Sequence, residues 1–172
     1  MMGLSNEIRI DEFSSEYQEE ILNLIVMIQQ KEFEIAITAE DQPDLCNIRE
    51  FYQKGAGNFW VALFNNKVIG TISLLDIGNG RAALRKMFVG KAFRGERYQV
   101  AFRLLDTLIK WAGSKKIKEI YLGTTSKFLA AHRFYEKNGF GEIDKTDLPG
   151  TFPVMKVDTR FYKFELSEMR FG

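Results

Sequence analysis

The sequence predicts an α+β domain with a mixed sheet, in which an antiparallel meander is followed by a central β-α-β crossover. One observation is the pair of short turns that separates three β-rich runs between residues 59 and 89. A second is the change to helical spacing after Gly95, where helices and strands alternate and require a parallel strand pair. The 172 residues hold no internal repeat or Pro-rich linker, so we predict a single domain over 1–172, with helices on both faces of the sheet.

The N-terminal part predicts one strand and two helices. Ile8, Ile10 and Phe13 indicate a short strand, and Ser15 followed by Gln18 is the spacing of a capping box. The helix that this box would begin has its apolar residues at Tyr17, Ile21, Leu24, Ile25 and Ile28. A second helix is predicted from Pro43 to about Gln53, ended by Lys54 and Gly55.

The middle of the chain predicts the three-stranded meander. Residues 59–64 and 68–75 are β-rich, and Asn65-Asn66 between them tolerates the positive φ angles of a tight hairpin. Gly78-Asn79-Gly80 is a second turn, and residues 83–89 are the third strand.

The last third predicts two helices and three strands. The first helix has its apolar face at Ala101, Leu104, Leu105, Leu108, Ile109 and Ala112, and Gly113 is expected to end it. A strand at 117–122 precedes a helix at 126–137, which Asn138-Gly139 would cap. Strands at 140–143 and 160–166 complete the sheet, and the second of them has Tyr162, Phe164 and Leu166 on one face.

Composition excludes several classes of function. Lys and Arg number 24 against 23 Asp and Glu, and a net charge of +1 gives no electrostatic reason to expect nucleic acid or a membrane surface. The longest apolar stretch, 21–28, is too short to cross a bilayer, and no signal peptide is visible, so we expect a cytoplasmic protein. The single Cys46 excludes an internal disulfide, and with one Cys and one His we expect no metal site. We interpret Cys46 as an incidental thiol rather than an acyl-carrying nucleophile.

A basic loop joins the third strand to the helix after it. Unpaired amides and the helix dipole at a helix N-terminus attract anions, and Arg94 and Arg97 add full charges, which would suit a pyrophosphate. Lys86, Lys91 and these two arginines face only one acidic residue of the segment, Glu96. A solvated basic loop is an equally good interpretation of the spacing alone.

Three stretches resemble the GNAT superfamily of acyl-CoA-dependent N-acyltransferases. Residues 130–140 are similar to its A-x-x-x-x-Y-E-K-x-G-F signature, and 57–75 to its N-terminal hairpin. Residues 84–89 with Phe93-Arg94-Gly95 and the following helix resemble its coenzyme-A segment. The chain looks especially like bacterial GNAT domains that occur alone or behind a MarR-type regulator. The resemblance implies an N-acetyltransferase that transfers an acetyl group from acetyl-CoA directly to a primary amine of a small molecule or peptide, in a ternary complex. The resemblance does not decide the oligomeric state, and a homodimer is one of the alternatives.

The resemblance also implies the roles of particular residues. Met87, Phe88 and Val89 would pair their backbone with the pantetheine arm, and Tyr135 would protonate the departing thiolate. Without the motif, Tyr135 would be interpreted as a packed aromatic beside Phe134. The remaining cofactor-binding residues would be Arg94, Gly95, Arg97, Tyr98, Gln99, Val100, Ala101 and Phe134. Gln99 stands where the family pattern has Gly, which permits close approach of the backbone to phosphate.

The acceptor side is less well specified. Many relatives carry a Glu where this chain has Ala83, so that route for the amine proton is absent, and Glu34, Asp44, Asp76 or a water chain remain as alternatives. Residues 33–37 and the acidic loop 40–44 fall where the superfamily forms its acceptor pocket. His132 is predicted to be exposed or to pack its helix, rather than to act in catalysis. A non-catalytic acyl-CoA-binding sensor or interaction module is the alternative function.

Overall fold

The computed structural model describes residues 7–166, which form a seven-stranded sheet in the order β1-β2-β3-β4-β5-β7-β6. The strands are β1 Ile8–Glu12, β2 Asn58–Phe64, β3 Lys67–Gly78, β4 Arg81–Val89, β5 Glu119–Thr124, β6 Gly141–Ile143 and β7 Arg160–Glu165. Every neighbouring pair is antiparallel except β4 and β5, which are parallel. The predicted meander and crossover are therefore confirmed.

Helices cover both faces of the sheet, as predicted. The α-helices are α1 Gln18–Met27, α2 Ile48–Tyr52, α3 Val100–Ser114 and α4 Leu129–Lys137. Short 3-10 turns occupy Ser15–Tyr17, Pro43–Cys46, Lys91–Phe93 and Lys145–Asp147, and α1 continues into a π-helical turn at Ile28–Glu32. One core lies under α3 and α4, a second lies under α1 and α2, and a smaller third cluster is formed by Ile77, Ala83, Tyr121, Phe152 and Phe161. We call the first two the α3-side core and the α1-side core. None of the helices within residues 7–166 is long and apolar enough to span a bilayer.

The turns of the meander have the backbone angles that their residues predict. Asn65 and Asn66 have φ angles of 51° and 64°, which match the right-handed twist of the strands they connect. Gly78 and Gly80 also have positive φ angles, at the second turn. Gly139, with φ of 95°, follows α4 as the predicted C-terminal cap.

Four predictions about helices and their ends are wrong. The capping box at Ser15 does not form, because Ser15 begins a 3-10 turn and α1 starts at Gln18 with no side-chain cap. The predicted second helix is interrupted at Asn47, whose φ of −139° separates the 3-10 turn from α2. Helix α3 continues through Gly113 to Ser114, since packing of its apolar face outweighs the small helix propensity of one Gly. Helix α4 begins at Leu129 rather than at 126.

The parallel pair β4–β5 is short, and this positions the site. Pairing extends only from Arg81 opposite Glu119 to Ala83 opposite Tyr121. Beyond Ala83 the two strands separate, while β4 stays paired with β3 as far as Val89. The sheet therefore opens at its centre, at the carboxyl ends of both strands.

Candidate active site

A cavity of about 790 Å³ occupies the opening between β4 and β5. Its walls are the second half of β4, the end of β5 from Leu122 to Thr125, helix α4, and the segment 152–158 that precedes β7. The basic loop, the start of α3, Phe33 and Ile37 also line it, and the guanidinium of Arg94 lies 5.7 Å from the centroid of the Phe33 ring. All of these elements border one continuous space.

The edge of β4 that faces this cavity is unpaired from Leu84 to Val89. Phe88 and Val89 pair with Thr71 and Gly70 of β3 on the opposite edge, and within residues 7–166 no strand pairs with them on the cavity side. An unpaired strand edge offers amides and carbonyls in register to any extended ligand. This geometry can hold a linear chain that contains amide groups.

A β-bulge shapes the middle of β4. Thr71 lies opposite Phe88 but Ser73 lies opposite Arg85, so one residue of β3 spans two of β4. The hydroxyls of Thr71 and Ser73 donate to the carbonyls of Lys86 and Arg85, both at 2.7 Å. These two buried hydroxyls bind the carbonyls that the bulge removes from the regular ladder.

The bulge turns two consecutive cations to the same face of the sheet. Lys86 has φ of 55°, a left-handed conformation that is unusual for a residue other than Gly. Leu84 and Met87 pack in the α3-side core, whereas Arg85 and Lys86 point toward α2 and the segment before it. Regular alternation along a strand would have separated the two charges onto opposite faces.

The Lys86 ammonium is buried among polar partners. Its Nζ donates to Gln42 Oε1 at 2.7 Å and lies 3.7 Å from Asp44 Oδ2. Tyr52 donates its hydroxyl to the same carboxylate at 2.5 Å. Burial lowers the pKa of Lys86 to about 8, although Asp44 acts in the opposite direction. The Lys86 ammonium is therefore bound by Gln42 and Asp44. The expectation that Lys86 adds charge to the phosphate-binding loop is wrong.

Arg85 and Asp158 face the same part of the cavity. Arg85 Nη2 contacts the sulfur of Met155 at 3.2 Å, and the Met155 amide donates to Asp158 Oδ2 at 2.8 Å. Asp158 lies against Gly123 of β5, where a Cβ atom would come within 2.5 Å of the carboxylate. Burial raises the pKa of Asp158, with the Met155 amide, Arg85 and Lys86 acting in the other direction.

Tyr135 of α4 lines the cavity wall opposite β4. Its ring packs against Phe134, Phe140 and Tyr162, which hold it in place. The hydroxyl has no hydrogen-bond partner among residues 7–166, so it can donate to a ligand. Burial raises the pKa of Tyr135 well above its ordinary value, which keeps the phenol protonated. Such a group can act as an acid but not as a base near neutral pH.

The basic loop is held by contacts that the sequence did not reveal. Arg94 forms an ion pair with Glu32, 62 positions away, and its Nε donates to the Val89 carbonyl at 2.8 Å. Gln99 has φ of 53° and donates its side-chain amide to the Glu96 carbonyl at 3.0 Å. Gln99 thus adopts the left-handed conformation expected of the Gly that it replaces.

The structure brings most of the predicted cofactor-binding residues to the cavity. Those that line it, together with Tyr135, are Met87, Phe88, Val89, Arg94, Gly95, Gln99, Ala101 and Phe134. Three others lie outside its lining. Val100 is only 1% exposed in the α3-side core, Tyr98 packs against Phe64 and Phe93, and Arg97 lies over the Tyr98 ring at 5.0 Å.

The residues expected to form an acceptor pocket are only partly at the cavity. Phe33 and Ile37 line the cavity, but the acidic loop 40–44 does not. Asp41 accepts hydrogen bonds from Thr38, and Asp76 accepts from the amides of Ala56 and Gly78 away from the cavity. The carboxylates that line the cavity within the described chain are Glu96 and Asp158.

The sequence pattern did not single out Arg85 or Asp158 as residues of the cavity. A signal for Asp158 existed, because this residue lies just before the last strand of the sequence. If that strand pairs with β5, the segment before it lies at the open end of the sheet. No local signal indicated that Arg85 would face the cavity. A bulge with a positive φ angle is usually marked by Gly or Asn, but here the residue with that angle is Lys86.

His132 is buried and packs α4 against its neighbours, which is one of the two predicted positions; it is not exposed. Arg160 can only donate, so the His132 Nδ1 atom that lies 3.0 Å from Arg160 Nη1 must be the acceptor. Nε2 then donates to the Thr125 carbonyl at 3.0 Å. His132 therefore fixes the turn after β5 that forms one wall of the cavity.

Cys46 is exposed and lies outside the cavity lining.

Comparisons with known proteins agree on one family. The model of the Acetyltransferase (GNAT) family matches residues 22–140. A solved GNAT-family acetyltransferase from Staphylococcus aureus Mu50 is 43% identical with a TM-score of 0.90, covering 93% of this chain and 99% of that one. An acetyltransferase from Streptococcus agalactiae 2603 is 31% identical with a TM-score of 0.88, covering 92% and 98% respectively.

A curated relative provides a more distant comparison. The N-acetylaspartate synthetase of Danio rerio is 33% identical over 132 residues, which are 74% of this chain and 46% of that protein. The chain thus spans about half the length of the curated relative it matches.

Proposed function

Because the chain belongs to the GNAT acetyltransferase family, we propose that it transfers an acetyl group from acetyl-CoA to a primary amine of a small molecule or peptide. The observation that carries this proposal is the joint position of the unpaired β4 edge and the Tyr135 hydroxyl on one cavity. The unpaired β4 edge suits the amide-containing pantetheine chain of coenzyme A. The Tyr135 hydroxyl is a protonated acid that lines the same cavity.

In this proposal acetyl-CoA lies along β4. The pantetheine amides bond the backbone at Met87, Phe88 and Val89, and the pyrophosphate lies at the N-terminus of α3 beside Arg94 and Gly95. Phosphate is favoured there because the first amides of α3 lack intrahelical acceptors. The thioester then points toward the opening between β4 and β5, where Tyr135 lies.

Transfer is proposed to occur directly between two bound substrates. The neutral amine attacks the thioester carbonyl and forms the C–N bond, and backbone amides of β4 stabilise the negative charge on the oxygen. Collapse of this intermediate breaks the C–S bond, and the departing thiolate takes the proton of Tyr135. The amine loses its own proton to the cavity or to solvent, and the proton of Tyr135 is replaced from solvent.

The test is release of coenzyme A thiol from acetyl-CoA with a panel of amines, with the acetylated product identified by mass. The relative's name makes L-aspartate one amine of the panel. Initial rates should show a sequential pattern, because both substrates must be bound together. Cys46→Ala should behave as the unchanged protein, since this exposed thiol carries no acyl group in the mechanism.

Two results would contradict the proposal. Tight binding of acetyl-CoA without turnover of any amine would favour a non-catalytic acyl-CoA-binding module. Ping-pong kinetics that disappear in Cys46→Ala would instead indicate an acyl-enzyme.

A further inference from the structure

We propose that the acceptor is an amine that also carries a carboxylate, and that Arg85 binds this carboxylate within the cavity. The inference rests on the proposed acetyl transfer and adds the chemical class of its acceptor. The observations that support it are the position of Arg85, the state of its neighbours and the position of Asp158.

Arg85 has hydrogen-bonding capacity that the protein does not use. Its guanidinium carries five N–H donors, but its contacts are the Met155 sulfur and the rings of Phe51 and Tyr52, at 5.5 and 5.9 Å from their centroids. Among residues 7–166 no carboxylate lies within ion-pair distance of it. The two rings hold the guanidinium plane without neutralising its charge.

The neighbouring polar groups are already paired and do not compete for the ligand. Lys86 is bonded to Gln42 and paired with Asp44, and Asp44 also accepts the Tyr52 hydroxyl. A carboxylate that enters the cavity beside β4 can therefore bind the guanidinium of Arg85, with which no acidic side chain of residues 7–166 forms an ion pair. Arg85 presents a planar pair of donors that matches the two oxygens of a carboxylate.

Asp158 supplies the opposite charge a short distance away. Arg85 contacts the side chain of Met155, and the amide of the same residue holds Asp158. An ammonium group near Asp158 and a carboxylate on Arg85 together describe an amino acid or another small amino carboxylate. The ammonium can pass its proton to Asp158 before the nitrogen attacks, which leaves a neutral amine and a carboxylic acid that later returns the proton to solvent.

The experiment compares acid and amide pairs that keep shape and remove one charge. L-aspartate is compared with L-asparagine, L-alanine with L-alaninamide, and β-alanine with β-alaninamide, by thiol release from acetyl-CoA. We expect kcat/KM for at least one acid to exceed that of its amide at least about tenfold, the effect of a charge-assisted hydrogen bond. Arg85→Gln should remove this preference by raising KM for the acid about tenfold, with less than about threefold change for the amide.

Controls separate a lost contact from a misfolded cavity. Arg81→Gln makes the same change on the same strand, where Arg81 pairs with Glu119 outside the cavity lining, and it should keep the preference. Arg85→Lys should retain part of the preference for the acid over its amide, because it keeps the positive charge. Binding of acetyl-CoA by Arg85→Gln shows whether the cavity is still formed.

The two proposals fail in different ways. Turnover of every amide as fast as its acid, or an equal loss for acid and amide in Arg85→Gln, overturns the carboxylate site and leaves acetyl transfer intact. Absence of thiol release with every amine overturns the proposed function itself.

Discussion

The Lys86 ammonium and the Asp44 carboxylate lie 3.7 Å apart with only 7% and 5% of their side chains exposed. The bulge in β4 brings Lys86 to this position, and the 3-10 turn after Pro43 brings Asp44. A buried ion pair contributes little to stability by itself, but removing one partner leaves the other charge uncompensated. The pair therefore makes the fold beside β4 sensitive to single substitutions.

Asp44→Asn should destabilise the fold strongly. The change removes the counter-ion of Lys86 and weakens the bond from Tyr52, and breaking a buried pair costs about 3 kcal/mol or more of the free energy of unfolding. Urea unfolding measures it. The double variant Asp44→Asn, Lys86→Met should recover part of the loss, because it removes the unpaired charge. Equal stability of Asp44→Asn and the unchanged protein would contradict this account.

The free energy of unfolding should depend on pH through Lys86. Burial lowers the pKa of this residue to about 8 in the folded protein, whereas an unfolded lysine has a pKa of about 10.4. Between these values the unfolded chain binds a proton that the folded one has released, so the contribution of Lys86 to stability rises with pH from about 8 to about 10.4. Unfolding measured across this range should show the rise in the unchanged protein relative to Lys86→Met. A difference that stays constant with pH would exclude it.

Tyr135→Phe should lower kcat about 100-fold or more, since general acid catalysis contributes on that order. The Kd for acetyl-CoA should stay the same, because the ring contacts with Phe140 and Tyr162 are kept. Tyr162→Phe is the matched control, as that hydroxyl donates to Glu136 Oε2 at 2.7 Å. If both variants lose activity equally, Tyr135 has only a packing role.

Glu32→Gln and Arg94→Ala should change coenzyme-A affinity in opposite directions. Arg94→Ala removes a charge from the phosphate end of the cavity and should raise the Kd about tenfold. Glu32→Gln releases Arg94 from its ion pair and should lower the Kd. Calorimetry at low salt measures both, and Arg97→Ala, at a residue outside the cavity lining, should have a smaller effect than Arg94→Ala. Unchanged affinity in Arg94→Ala would make this residue a surface charge.

Gln99→Gly should be tolerated, whereas Gln99→Val should destabilise the protein by about 1 kcal/mol or more. The φ of 53° is accessible to Gly but strained for a β-branched side chain. Thermal unfolding compares the two, with Arg103→Gly as a control that should cost about 1 kcal/mol within α3. A Val variant as stable as the Gly variant would contradict a strained left-handed residue here.

Local chemistry predicted much of the fold. Asn65-Asn66 specified the hairpin because both residues accept positive φ angles, and Gly139 specified the end of α4 for the same reason. Helix ends were predicted less well, since the start of α1 at Gln18 depends on packing rather than on a side-chain cap.

The sequence by itself determined the order of elements, the meander, the crossover and the resemblance that pointed to Tyr135, because these depend on spacing and on residues close in the chain. Only the tertiary structure decided which charges face the cavity. Arg94 meets Glu32 across 62 positions, Lys86 meets Asp44 across a bulge that no Gly announces, and Asp158 reaches β5 through a connection outside any motif. Such contacts depend on register and on the separation of β4 from β5, and both are set by packing over the whole sheet.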